Sequence, residues 1–480
     1  MRALRNPLLI IVVVSAVIGV STLTRGHEWG DDFASYIMQG QSILNGNVAE
    51  FVERNTFTIF KSSFQIGPVA YPWGYPLILT PALLIKGVHP LTLKLPGLFF
   101  FAGFLICLYL ITKNRLTQTK SLLLVALFAF NPTLIKFLDY ILSDIPFLFF
   151  VFLGLLFIAD FNPKQRAGKY IVAGAIIFFA FFIRTTGIIL LASYLAYQAI
   201  RFYREREERR FIFINSVLTA GSFGLLWLVS SLVFPDGQGS YLEQLKGLTP
   251  AIFKDNIRLY FFLLGTFFGD NPVWIYVYYA LVVFFVIGAL TRRESDQHLL
   301  IFFALYLVAM IFWPERQGMR FIFPLLPIFV YFAFHGMDVV INRLPEKSRP
   351  YGTGIIFVSW LAIIGIFVFN SSAGAYANLK DNRKINGPFD PYSSDVYNYI
   401  RAETPPDSVI VFYKPRAMRL FTDRDTLMSA ECEKLPLGDY VVISKKAENS
   451  QIPPDQIDEC GLPLKSVFEN QRFIIYQLPN

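Results

Sequence analysis

Apolar residues run along this chain in long unbroken stretches, and charged residues collect in the short gaps between them. Leu8–Leu23, Ser121–Ile135, Ile145–Ala159, Phe211–Phe234, Asn271–Leu290, Leu299–Trp313 and Tyr351–Asn370 carry no charge at all. Several of these approach the roughly 20 residues that a helix needs to cross a bilayer. Tyr170–Ile183 and Thr185–Ile200 read as a short hairpin turning at Arg184, and Phe321–Asp338 as a further span. With helices on either side of the basic loop Lys113–Lys120, the pattern predicts about eleven transmembrane helices. Tyr75–Ile85 is Pro-flanked and Leu259–Phe268 is short, so both read as interfacial or re-entrant segments. Parity then requires that neither crosses, or both.

The pattern changes near Ser371. Apolar runs shorten to strand length at Ser408–Lys414, Tyr440–Ser444 and Phe473–Leu478, while Ser394–Glu403 has helical spacing with Ser393 or Ser394 as its N-cap. The expected architecture is therefore a polytopic α-helical membrane domain over residues 1–370 and a small soluble α/β domain over 371–480. The membrane domain includes a long first loop at about 24–89.

Composition supports the membrane reading. Of 480 residues, 54% are hydrophobic and 16% charged, against about 25% charged in an ordinary soluble chain. The net charge of +8 does not point to nucleic acid. Its cations sit in alternate inter-helix gaps: Arg2 and Arg5; Lys113, Arg115 and Lys120; Lys164, Arg166 and Lys169; Arg201 to Arg210; Arg292 and Arg293; Arg343, Lys347 and Arg349. Placing all of these gaps in the cytoplasm satisfies the positive-inside rule. The N-terminus is then cytoplasmic, and the first loop and C-terminal domain lie outside, in a bacterial inner membrane. Cys107 reads as packing, whereas Cys432 and Cys460 can pair in an oxidising compartment.

Candidate chemistry gathers on the outer face. The first loop holds Gly26-His27-Glu28-Trp29-Gly30-Asp31-Asp32-Phe33, followed by Tyr36, Ile37, Gly40, Ile43 and Leu44 at helical spacing. A surface helix should start at the paired aspartates, either of which can serve as N-cap, and end near Asn45-Gly46. Asp139 and Asp144 mark one helix edge, Arg184 a hairpin turn, and Glu315, Arg316 and Arg320 another turn. Charges at the edges of apolar helices are costly unless paired or hydrated, and here acids and arginines converge on one face. The rings of Tyr36, Tyr71, Trp73 and His27 lie in the same loop, where an interfacial aromatic belt also explains such residues.

The order of Asp32-x-x-x-Tyr36, Tyr71-Pro72-Trp73-Gly74-Tyr75-Pro76, Leu142-Ser143-Asp144-Ile145-Pro146-Phe147, Phe182–Gly187 and Arg320–Pro327 resembles GT-C glycosyltransferases. The resemblance is to those related to protein O-mannosyltransferases and the lipid A aminoarabinose transferase. It implies a polyprenyl-phosphate-sugar donor and inverting transfer outside the cytoplasm to a hydroxyl of a lipid, glycan or protein. Asp32 matches the family's catalytic aspartate and Asp144 its supporting acid. Phe33 stands where a Glu is common, with Asp31 as the neighbouring acid, and the lysine that aminoarabinose transferases carry near Trp73 is missing. Arg320 and Arg316, with Arg184, would hold the donor phosphate, and Tyr36, Tyr71, Trp73 and His27 would contact sugar or acceptor. An energy-rich donor calls for no cofactor, though Asp31, Asp32, Asp144 and His27 are residue types that bind divalent metals. The competing readings are a transporter or flippase of a lipid-linked sugar and a non-catalytic membrane assembly factor.

Overall fold

The computed structural model describes residues 7–64, 66–159, 167–235, 247–269, 271–316, 318–446 and 448–479. Arg2, Arg5, Lys164 and Arg166 of the basic gaps lie outside them. The apolar runs are helices: α1 (Pro7–Thr22), α5 (Pro90–Thr112), α6 (Gln118–Ala129), α8 (Asp144–Ala159), α9 (Ala167–Ile183), α10 (Ile188–Arg204) and α11 (Arg209–Val233). Beyond them come Trp274–Arg292, Gln297–Phe312, Leu325–Asn342 and Arg349–Lys380. Among the described residues, five helices are both long and apolar enough to cross a membrane, starting at Pro90, Arg206, Trp274, Leu325 and Glu346. Six other apolar helices are shorter, so the expected count of eleven spans is not met by length alone. Many outward side chains are apolar, such as Leu232 at 79% exposure and Phe369 at 72%, as a lipid-facing surface requires.

Small residues bring some helices into backbone contact. A Cβ on Gly288 would strike the Phe332 carbonyl, and one on Gly336 the Phe284 carbonyl, so Trp274–Arg292 and Leu325–Asn342 pack without intervening side chains. Polar groups lock others. Lys94 is 1% exposed, and its ammonium donates to Asp139 (2.7 Å), Thr24 O (2.9 Å) and Gly26 O (2.7 Å). Losing one partner of such a buried pair costs about 3–5 kcal/mol. Asp139 thus anchors the exit of α1, where Thr24 N donates to it at 2.6 Å.

Three local expectations are corrected. The run Ser121–Ile135 is two helices: Asn131 accepts from Leu134 N (3.1 Å) and caps α7 (Pro132–Phe137), whose Pro132 cannot continue α6. The helix beginning at Arg349 passes through residue 371 to Lys380, held there by Ser371, which donates to Phe130 O (2.9 Å), and Asn378, which donates to Ser21 O (2.9 Å). The later helix is Pro391–Glu403 and its cap is Asp390, which accepts from Ser393 N (2.9 Å).

The first loop is helical: α2 (Asp32–Asn45), α3 (Val48–Lys61) and α4 (Gly74–Lys86). The stretch Leu259–Phe268 belongs to Pro250–Leu263 and a following 3-10 turn. The C-terminal region holds a five-stranded sheet of β1 (Val409–Phe412), β2 (Asp425–Leu427), β3 (Tyr440–Ser444), β4 (Lys465–Glu469) and β5 (Phe473–Gln477) in the order β2-β1-β3-β5-β4. β1 runs parallel to β2 and β3, and β5 antiparallel to β3 and β4. Cys432 and Cys460 form a disulfide. The sheet domain sits on the first loop: Arg54 binds Asp423 (2.6 Å) and Asp425 (2.9 Å), Ser63 N donates to Met428 O (2.9 Å), and Arg25 N donates to Lys384 O (3.0 Å).

Candidate active site

α2 buries Phe33, Tyr36, Ile37 and Gly40 on one face, against α4, and this seating fixes where its first turn points. Asp32 opens the helix, where the dipole favours a negative charge. Its Oδ1 accepts from the Tyr71 hydroxyl (2.7 Å), and its Oδ2 from both terminal nitrogens of Arg320 (3.2 and 3.3 Å). Burial pushes the Asp32 pKa up, but Arg320, Tyr71 and Arg416 outweigh it and hold the carboxyl below its usual value. Asp32 is therefore ionised near neutral pH.

Tyr71 is placed by a residue that the sequence reading passed over. Gln39 donates its amide to Tyr71 O (2.8 Å) and accepts from Tyr71 N (3.2 Å). An amide on the buried stripe of α2, three residues after Tyr36, was the available signal. Tyr36 meets the Ser143 hydroxyl at 3.1 Å, which joins the first loop to the start of α8. There Asp144, 3% exposed, pairs with Arg184. The Arg184 guanidinium also lies 4.5 Å from the Phe321 ring centre. Arg316 pairs with Asp255 (3.0 Å) and donates to Asn256 (3.2 Å). These elements enclose a cavity of about 680 Å³ lined by Asp32, Tyr36, Tyr71, Arg184, Glu315, Arg316 and Arg320, among others. A carboxylate beside three guanidinium groups suits proton removal next to an anionic leaving group.

Other candidates stand elsewhere. Asp31 turns towards the C-terminal domain, where it accepts from Ala417 N in the first turn of the Pro415–Thr422 helix. Burial pushes it up to about 6, against the pull of Arg416 and Lys414. Its Oδ1 is buried with no hydrogen-bond partner among the described residues. Phe33 stacks on His27 (4.3 Å between ring centres), so an aromatic pair occupies the place where the related motif commonly has a Glu. His27 Nε2 accepts from Ile141 N (3.0 Å) while Nδ1 meets Glu28 O (2.7 Å). Burial lowers its pKa to about 4, which leaves it neutral and fastening two loops. Trp73 is 5% exposed, stacks on Phe234 (5.2 Å) and donates to Pro235 O (3.3 Å), away from the cavity lining. Asp139 belongs to Lys94, as described above. Asp32, Asp144 and His27 are thus already engaged, and no group of three His, Cys, Asp or Glu residues able to hold a metal occurs among the described residues.

Residues 70–232 match the family described as dolichyl-phosphate-mannose-protein mannosyltransferase. No curated protein matches the chain significantly. Among solved structures, ArnT from Cupriavidus metallidurans bound to undecaprenyl phosphate is 12% identical, with a TM-score of 0.59 over 98% of this chain and 97% of that one. The Archaeoglobus fulgidus oligosaccharyltransferase complex with Zn and sulfate is 13% identical, with a TM-score of 0.61 over 90% and 68%. The archaeal oligosaccharyltransferase AglB from the same organism, in complex with an inhibitory peptide and a dolichol-phosphate, is 12% identical, with a TM-score of 0.54 over 88% and 64%. By the family match through residues 70–232 and the fold shared over nearly its whole length, the chain takes the GT-C architecture that its sequence resemblance implies.

Proposed function

We propose that the protein is an integral membrane glycosyltransferase that moves a sugar from a polyprenyl-phosphate-linked donor to a hydroxyl of a lipid, glycan or protein. Transfer takes place outside the cytoplasm and inverts the anomeric carbon. The observation that carries this reading is the ionised Asp32 carboxylate, bridged to Arg320 at the wall of a cavity that also presents Arg184 and Arg316. Polyprenyl phosphates held by two proteins of the same fold support the donor class.

In this scheme the donor phosphate draws Arg320 and Arg316 towards itself, and Asp32 Oδ2 is released. The acceptor oxygen attacks the anomeric carbon opposite the phosphate as its proton passes to Oδ2. The bond from the anomeric carbon to the phosphate oxygen breaks, and its electron pair stays on the polyprenyl phosphate, where guanidinium groups stabilise it. Asp144 positions Arg184, and Tyr71 positions Asp32. The reaction as written draws on the chain's own residues and needs no nucleotide.

Five of the shorter apolar helices, all but the interfacial α4, complete eleven crossings together with α10 in this reading. The N-terminus is cytoplasmic in a bacterial inner membrane, and residues 371–480, which open with the last turns of the helix ending at Lys380, form the outer domain carried on residues 1–370. The Cys432–Cys460 disulfide supports an oxidising location for that domain. Mass spectrometry of lipid-linked sugars and surface glycans in a deletion strain tests the function. An accumulated polyprenyl-phosphate sugar with one glycan modification missing is expected, and unchanged profiles of both would overturn it.

A further inference from the structure

Arg416 is the second residue of the Pro415–Thr422 helix in the C-terminal domain and is wholly buried. Among the described residues, its terminal nitrogens have partners only in residues 66–71 of the first loop: Pro68 O, Ile66 O (3.5 Å) and the Tyr71 hydroxyl (3.4 Å). The guanidinium carbon also lies 5.4 Å from the Tyr71 ring centre. No carboxylate lies within ion-pair distance of it among the described residues. The Tyr71 hydroxyl gives its proton to Asp32, so its oxygen is free to accept from Arg416. Gly67 makes the approach possible. Its φ of +124° is unfavourable for other residues, and a Cβ there would stand 2.9 Å from the Tyr71 oxygen and 3.2 Å from Arg416 Nη1.

We propose that Arg416 is a positioning residue of the reaction centre: the C-terminal domain reaches through it to fix Tyr71, and through Tyr71 the Asp32 carboxylate. This rests on Asp32 being the base. The arrangement makes the outer domain part of the active site without touching substrate. The charged and titratable groups acting on Asp32 are Arg320 and Tyr71, which bind it, and Arg416, Asp31, Tyr36 and His27, which stand close by.

The test uses the full-length protein in detergent with two readouts. The first is the pH at which Asp32, 27% exposed at its side chain, becomes labelled by a hydrophobic carbodiimide, which attacks protonated carboxyls. The second is kcat and donor KM for sugar transfer. Arg416→Met should move the labelling midpoint up by about half to one pH unit. It should also lower kcat about ten- to a hundred-fold with little change in donor KM. Arg416→Lys keeps the charge and should restore the midpoint but not the full kcat. Tyr71→Phe should resemble Arg416→Met, and the double variant should be no worse than the weaker single, because the pair acts as one unit. If Arg416→Met does not fold, Arg416→Lys and Tyr71→Phe carry the same comparison. An unmoved midpoint with unchanged kcat, or additive losses in the double variant, would overturn the proposal. A shifted midpoint in a protein that transfers no sugar would instead reject the transferase reading and keep the positioning role.

Discussion

Replacing Asp32 with Asn isolates the carboxylate's charge with the least structural change. Asp32 makes two kinds of hydrogen bond, accepting from Tyr71 on one oxygen and from Arg320 on the other. An Asn can keep both by turning its carbonyl to Arg320 and donating its amide to the Tyr71 oxygen. It also remains acceptable at a helix N-terminus. What disappears is the Coulombic part of a pair that is about one-quarter exposed on each side, worth about 1 kcal/mol or less. The variant should therefore fold, insert and bind polyprenyl phosphate. It cannot take the acceptor's proton, and turnover should fall by about two to four orders of magnitude, or about 3–5 kcal/mol of barrier. Purified Asp32→Asn and Asp31→Asn should be compared in a transfer assay with a polyprenyl-phosphate sugar, with melting temperature as the folding control. A near-normal rate for Asp32→Asn, or a larger loss for Asp31→Asn, would refute the reasoning.

Arg320→Lys keeps the charge but cannot place two nitrogens on one oxygen. It should weaken binding of polyprenyl phosphate while leaving the melting temperature close to wild type, and wild-type affinity would remove Arg320 from the phosphate site. Asp31 has a raised pKa in the folded protein, so its contribution to stability is complete below pH 4 and is lost as pH rises through about 6. Asp31→Asn should then gain melting temperature relative to wild type between pH 4.5 and 7.5, with about 3 kcal/mol as the upper limit. A difference that does not change with pH would reject the burial of this carboxylate. On topology, cysteines placed at Arg204 should be labelled only from the cytoplasm, and those at Lys61 and Lys445 from outside. Labelling of position 445 only after the inner face is opened would overturn the orientation.

Much of the fold was legible because it depends on local pattern. A run of uncharged apolar residues has to bury its backbone polar groups in a helix wherever it lies, so Leu8–Leu23 and Asn271–Leu290 foretold α1 and Trp274–Arg292 to within a few residues. The amphipathic spacing after Asp32 gave α2 and its end near Asn45, and a strand-length apolar run gave β3 at Tyr440–Ser444. β2 and β4 escaped because one is three residues long and the other is mostly exposed, leaving no apolar run to see. The split at Asn131 and the continuation to Lys380 also depended on partners distant in the chain, Phe267 O for Asn131 and Ser21 O for Asn378.

The same division runs through the site. Charged groups at the ends of apolar helices need a reason to be there, which marked Asp144, Arg184, Arg316 and Arg320, whereas the family resemblance singled out Asp32 from the pair of aspartates. Which acid meets which cation was a matter of packing. Asp32 finds Arg320 from 288 residues away, Asp144 finds Arg184, and Asp139 finds Lys94. Asp31 and Asp32 are neighbours in the chain, yet the helical turn between them sends one to the cavity and the other to the C-terminal domain. Arg416 carried no sequence signal at all, because its role exists only where the sheet domain sits on residues 66–71. Periodicity is a local property and fixes the helices. The energy of a buried charge depends on whatever side chain packing brings within about 3 Å, and that only the folded chain decides.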